Sequence, residues 1–157
     1  MAHYVKEVLI SREEIDRMVT GLADRITKDY QGREVVMIGI LKGSFIFMSD
    51  LVRKIDLPMV IDFMSVSSYY GGTKSSGVVK IVKDLDNDIE GKHVIIVEDI
   101  VDSGLTLGHL KEMLLTRNPA SLAVCAAFDK PDRRKDDIAA EYTGSQIPDA
   151  FIIGYGL

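Results

Sequence analysis

Residues 94–106 read VIIVEDIVDSGLT: four apolar residues, two adjacent acids, then an Asp-Ser-Gly turn. A short apolar run closed by a turn reads as a strand buried on both faces, the kind that parallel sheets use. Beyond the turn, Leu107, Leu110 and Leu114 recur at helical spacing, so the strand feeds a helix that runs to the Asn118-Pro119 breaker. Glu98, Asp99 and Asp102 therefore crowd the end of the most strand-like run in the chain, three carboxylates within five residues. Solubility alone does not need so many there.

Outward from this unit the same alternation repeats. Ser11 and Glu14 form an S-x-x-E capping box ahead of Ile15, Met18, Val19, Leu22 and Ile26, an apolar helical stripe ending near Tyr30-Gln31-Gly32. VVMIGI (35–40) reads as another buried strand, and LKGSF (41–45) as a turn into a second helix reaching about Lys54. Pro58 opens a β-prone run, PMVIDFMSVSSYY, that ends at Gly71-Gly72; VVKIVKDL (78–85) is extended again. Between them TKSSG (73–77) has little to hold it in place. SLAVCAAF (121–128) is a further strand, and the polar KPDRRKDD (130–137) returns the chain to AFIIGYGL (150–157).

Apolar strands alternating with amphipathic helices predict an α/β fold: a largely parallel twisted sheet flanked by helices. The 157 residues suit one domain. In such sheets ligands bind beyond the carboxyl ends of the strands. The loops 41–45, 98–106 and 129–134 should then open on one edge.

Composition narrows the chemistry. The formal charge is −5 and the basic residues are scattered apart from one short cluster, so no nucleic-acid partner is expected. No run is long and apolar enough to span a bilayer and no secretory leader is read, which predicts a cytoplasmic protein without membrane contact. Cys125 is the single cysteine, reads as an inert core thiol and cannot form an internal disulfide. His3, His93 and His109 lack metal-ligand spacing.

The loops carry the chemistry. In DSGLT (102–106) Gly104 permits a tight turn, Ser103 and Thr106 offer hydroxyls, and the first helical N–H groups point outward, a recipe for cradling phosphate or simply for capping a helix. Neither a Walker loop nor a G-x-G-x-x-G fingerprint is present. Glu98 and Asp99 would repel a phosphate unless they hold ribose hydroxyls or Mg²⁺, whose shell phosphates can complete. Lys42 and Gly43 put a cation and a free amide at another strand end, and Lys130 adds a donor from a third direction.

VIIVEDIVDSGLT resembles the 5-phosphoribosyl 1-pyrophosphate motif of type I phosphoribosyltransferases. GILKGSFIFMSDL, DFMSVSSYYG, VKDLD, FDKPDRR and IPDAFIIGYGL make the whole chain similar to the bacterial hypoxanthine-guanine phosphoribosyltransferases. That resemblance implies transfer of a 5-phosphoribosyl group to N9 of hypoxanthine or guanine, with release of pyrophosphate and with Mg²⁺ as cofactor; the alternative is a regulator of the same fold without purine turnover. It assigns Asp102, Ser103, Gly104, Leu105 and Thr106 to the 5′-phosphate, and Glu98 and Asp99 to the ribose hydroxyls and the metal. Lys42 and Gly43 go to pyrophosphate, with a cis peptide at Leu41–Lys42. Lys130 goes to the purine 6-oxo group, Phe151 and Ile152 to the base, and Asp102 to proton handling at N7. Lys can only donate, which suits a 6-oxo acceptor and not a 6-amino group.

The resemblance also makes SSYYGGTKSSG (67–77), with Ser68 and Tyr69 at its start, a mobile loop that closes over the site. It implies a homodimer or homotetramer, with a core of about 11–137 and a hood of about 1–10 and 138–157 that includes a strand around Val5–Ile10. Family members continue past GYGL with an Asp and an Arg-bearing tail, so the metal shell and the hood are both expected to be incomplete here.

Overall fold

The structure, a computed structural model, describes residues 6–70, 75–135 and 138–157, with the side chains of 68–70 and 75–78 outside that description. Six strands form one sheet in the order β3-β2-β1-β4-β5-β6. They are β1 (Val35–Ile40), β2 (Met59–Tyr70), β3 (Ser75–Lys83), β4 (His93–Val101), β5 (Ser121–Asp129) and β6 (Tyr142–Gln146). All neighbours are parallel except β2 and β3, which pair antiparallel at one edge. The helices are α1 (Arg12–Asp29), α2 (Phe45–Val52) and α3 (Leu105–Leu115).

Strand alternation sorts the core into two layers. Val35 and Met37 of β1 and Ile95 and Val97 of β4 face Val19, Leu22 and Ile26 of α1 and Phe47 and Leu51 of α2. Val36, Ile38, Val94 and Ile96 face the other way, against Leu107, Leu110 and Leu114 of α3. With both faces covered, β1 is buried at every position, which is why its sequence is a continuous apolar run. The expected capping box starts α1: Ser11 Oγ accepts from Glu14 N–H (3.1 Å) and Glu14 Oε1 accepts from Ser11 N–H (3.3 Å). Cys125 is buried, and desolvation pushes its thiol up to about 12, in keeping with an inert core residue.

Three expectations are corrected. Residues 67–70 and 75–77 belong to β2 and β3 instead of an open loop, because the two strands pair as far as Tyr70↔Ser75; residues 71–74 lie outside the description. No strand forms over 6–10. The segment expected to build the hood instead gives β6 to the main sheet, where it pairs with β5 from Cys125↔Tyr142 to Asp129↔Gln146. After β6, 147–157 has no helix or strand and is anchored by Tyr155. The Tyr155 hydroxyl donates to Asp50 Oδ2 (2.7 Å), and its ring meets Phe47 and Phe128 at centroid separations of 6.4 Å.

Candidate active site

The carboxyl ends of β1, β4 and β5 lie on one edge of the sheet, and the three loops leaving them meet there, as expected. Backbone bonds hold two of them together: Lys130 N–H donates to Val101 O (2.9 Å) and Lys135 N–H to Ser103 O (2.7 Å). A cleft of about 260 Å³ opens at this edge, and its lining includes Ile40, Glu98, Asp102, Ser103, Gly104 and Thr106.

The turn 102–104 is built for an anion. Gly104 precedes the first residue of α3 with φ +84°, a conformation that a side chain would resist. No acid occupies the first turn of α3, whose positive end faces the cleft. Leu105 N–H reaches Ser103 Oγ only at 3.4 Å, a long bond that a ligand oxygen can replace.

Glu98 and Asp99 lie within β4, not beyond it, and the strict alternation of that strand breaks here, since Ile100 packs on the α1/α2 layer and Val101 on the α3 layer. Glu98 lines the cleft on the α3 side. Asp99 lies against the 41–44 turn: a Cβ added to Gly43 would fall 2.1 Å from Asp99 Oδ2 and 2.9 Å from its Cγ. Glycine is the residue that lets the two strand ends close. Burial, followed by the charge of Asp99, raises the Glu98 carboxyl to about 8. Burial also raises Asp99, against the hydrogen bond it accepts from Ile100 N–H (2.7 Å). An acid pair that is costly to ionise together, built from hard oxygens beside an anion cradle, fits Mg²⁺ with phosphates completing its shell.

The Leu41–Lys42 peptide is cis. The turn is stiffened by buried Ser44, whose Oγ donates to Ile40 O (2.7 Å), while Lys42 is exposed at its tip.

Lys130 follows β5 and is half-buried beside the turn. Ile152 packs on the α1/α2 core layer, whereas Phe151 is 95% exposed. Ser68 and Tyr69 sit in β2, and their side chains are not described.

Arg133 was not singled out by sequence reasoning. Its Nε lies 2.7 Å from Asp102 Oδ1, and its Nη1 3.5 Å from Asp149 Oδ1. Arg134 pairs with Asp129. The adjacent arginines of DKPDRR, just past a buried strand, were the available signal; a polar cluster in a loop usually means only solvation.

The phosphoribosyl transferase domain family matches residues 10–157. A hypoxanthine-guanine phosphoribosyltransferase of Staphylococcus aureus is 52% identical over 157 residues, all of this chain and 88% of that protein. A crystal structure of a Staphylococcus aureus hypoxanthine phosphoribosyltransferase superposes with TM-score 0.94 at 52% identity, covering 98% of this chain and 83% of that one. A Trypanosoma cruzi hypoxanthine phosphoribosyl transferase, solved in a study of its C-terminal region, oligomeric state and activity, gives TM-score 0.93 at 41% identity, covering 100% of this chain and 86% of that one. With the α/β sheet, the anion turn and the acid pair in place, these similarities show that the chain belongs to the phosphoribosyltransferase family, in its hypoxanthine-guanine branch.

Proposed function

We propose that the chain transfers the 5-phosphoribosyl group of 5-phosphoribosyl 1-pyrophosphate to N9 of hypoxanthine or guanine, giving IMP or GMP and pyrophosphate. The observation that carries this reading is the shared edge. The anion turn 102–106, Glu98 in the cleft, Asp99 against Gly43, and Lys130 all converge on it.

The 5′-phosphate sits in the turn, on Ser103, Thr106 and the N–H groups that open α3. Glu98 and Asp99 take the ribose hydroxyls, and their oxygens hold Mg²⁺. Lys42 and the Gly43 amide receive the pyrophosphate. Lys130 donates to the purine 6-oxo oxygen, Phe151 covers the base, and Ile152 meets its edge through the backbone. Bound Mg²⁺ supplies positive charge that offsets the negative charge leaving with pyrophosphate. As that bond breaks, positive charge builds on the sugar, and Asp102 accepts the proton from purine N7 or stabilises it there. The segment that begins at Ser68 and Tyr69 closes over the sugar and limits competition from water.

The reading extends to a cytoplasmic homodimer or homotetramer. Among the described residues no helix is long and apolar enough to cross a membrane. Incubating the chain with the donor, Mg²⁺ and hypoxanthine tests the reaction. Nucleotide and pyrophosphate should appear one for one and depend on Mg²⁺; donor left intact in the presence of base would refute it.

A further inference from the structure

Two carboxylates far apart in the sequence share one guanidinium. Arg133 is the only basic side chain among the described ion pairs to engage two acids, Asp102 at 2.7 Å and Asp149 at 3.5 Å. Asp102 opens the anion turn, and Asp149 lies two residues before Phe151. Asp102 Oδ1 is shielded from water and has no aligned hydrogen bond, so its contact with Arg133 is one of charge and leaves a lone pair free.

The backbone around Arg133 is fixed on both sides. Lys130 and Lys135 bond to Val101 and Ser103, which fastens the loop to the turn, and Ile147 N–H donates to Asp129 O (2.8 Å), which fastens the start of the C-terminal segment to β5. None of these bonds joins the segment 148–152 to the turn. The side chain of Arg133 does.

We propose that Arg133 is a positioning residue that couples the segment 148–152 to Asp102, so that seating a purine against that segment and orienting the Asp102 carboxylate become one event. This rests on the function proposed above. A planar guanidinium with five N–H donors can face two carboxylates at once; a lysine ammonium is a single point and cannot hold both at fixed geometry. Both pairs are about half exposed, so the effect is moderate.

The test is steady-state kinetics on R133Q, R133K, D149N and the R133Q/D149N double variant, with hypoxanthine and donor varied separately and thermal melts as a fold control. R133Q should raise the KM for hypoxanthine and lower kcat by about fivefold each, leaving the donor KM within about twofold. D149N should raise the hypoxanthine KM in the same direction. The double variant should be no worse than R133Q, and R133K should recover less than about half of the loss. Unchanged kinetics in R133Q, single effects that multiply in the double variant, or full rescue by lysine would each overturn the coupling while the transferase reading stood. An unsubstituted chain without turnover would remove that reading and the coupling with it.

Discussion

Gly43 and Asp99 show how tightly the proposed site is set by single residues. A methyl group at position 43 would overlap the Asp99 carboxylate, which cannot retreat because its other oxygen accepts from Ile100 N–H. Gly43→Ala should therefore cost about 1–3 kcal/mol, read as a lower melting temperature, and should raise the donor KM by about tenfold. A donor KM within about twofold of wild type would separate this contact from donor binding. The acids themselves were legible in the sequence, since three carboxylates after an apolar run demand an explanation. Their place inside the strand was not, because it depends on β4 continuing through Val101. Arg133 stayed hidden for a different reason: its partners lie 31 residues before and 16 after it, and nothing local marks the pairings.

Among the elements, β2 carries a feature that its sequence conceals. Asp62 looks like the exposed position of a half-buried strand but is only 3% exposed. It accepts from Phe63 N–H (2.8 Å), Asp86 N–H (3.0 Å), Asn87 N–H (3.0 Å) and Asn87 Nδ2 (3.0 Å), clamping the crossover between β3 and β4. Burial raises its carboxyl, but these donors, led by Asn87, outweigh burial and leave it below the usual range. A depressed folded value gives stability that is present above the unfolded value of about 3.9 and lost as pH falls through the folded one. Asp62→Asn should cost about 2–3 kcal/mol at neutral pH by turning an amide towards backbone donors, and should flatten the stability profile below about pH 5. Urea melts at several pH values check both; an unchanged acid limb would refute the clamp. At the other end, Tyr155→Phe keeps the ring against Phe47 and Phe128 and loses only the bond to Asp50, so it should cost about 1 kcal/mol in the same melts.

For the whole molecule, the class of fold follows from the periodicity, since buried parallel strands and amphipathic helices leave different spacings. The shared edge follows from topology once those strands are parallel. What periodicity could not supply was the antiparallel β2–β3 edge and the entry of β6 into the sheet, because both depend on pairings between distant segments. The account makes one demand of the assembled edge: the turn, the acid pair and Lys130 must act on a 6-oxopurine. The direct test is the initial rate of pyrophosphate release from the donor and Mg²⁺ with hypoxanthine, guanine and adenine at equal concentrations. Turnover with the first two and background with adenine is the predicted result. Adenine turning over as fast as hypoxanthine would contradict the role of Lys130 and the base assignment that depends on it.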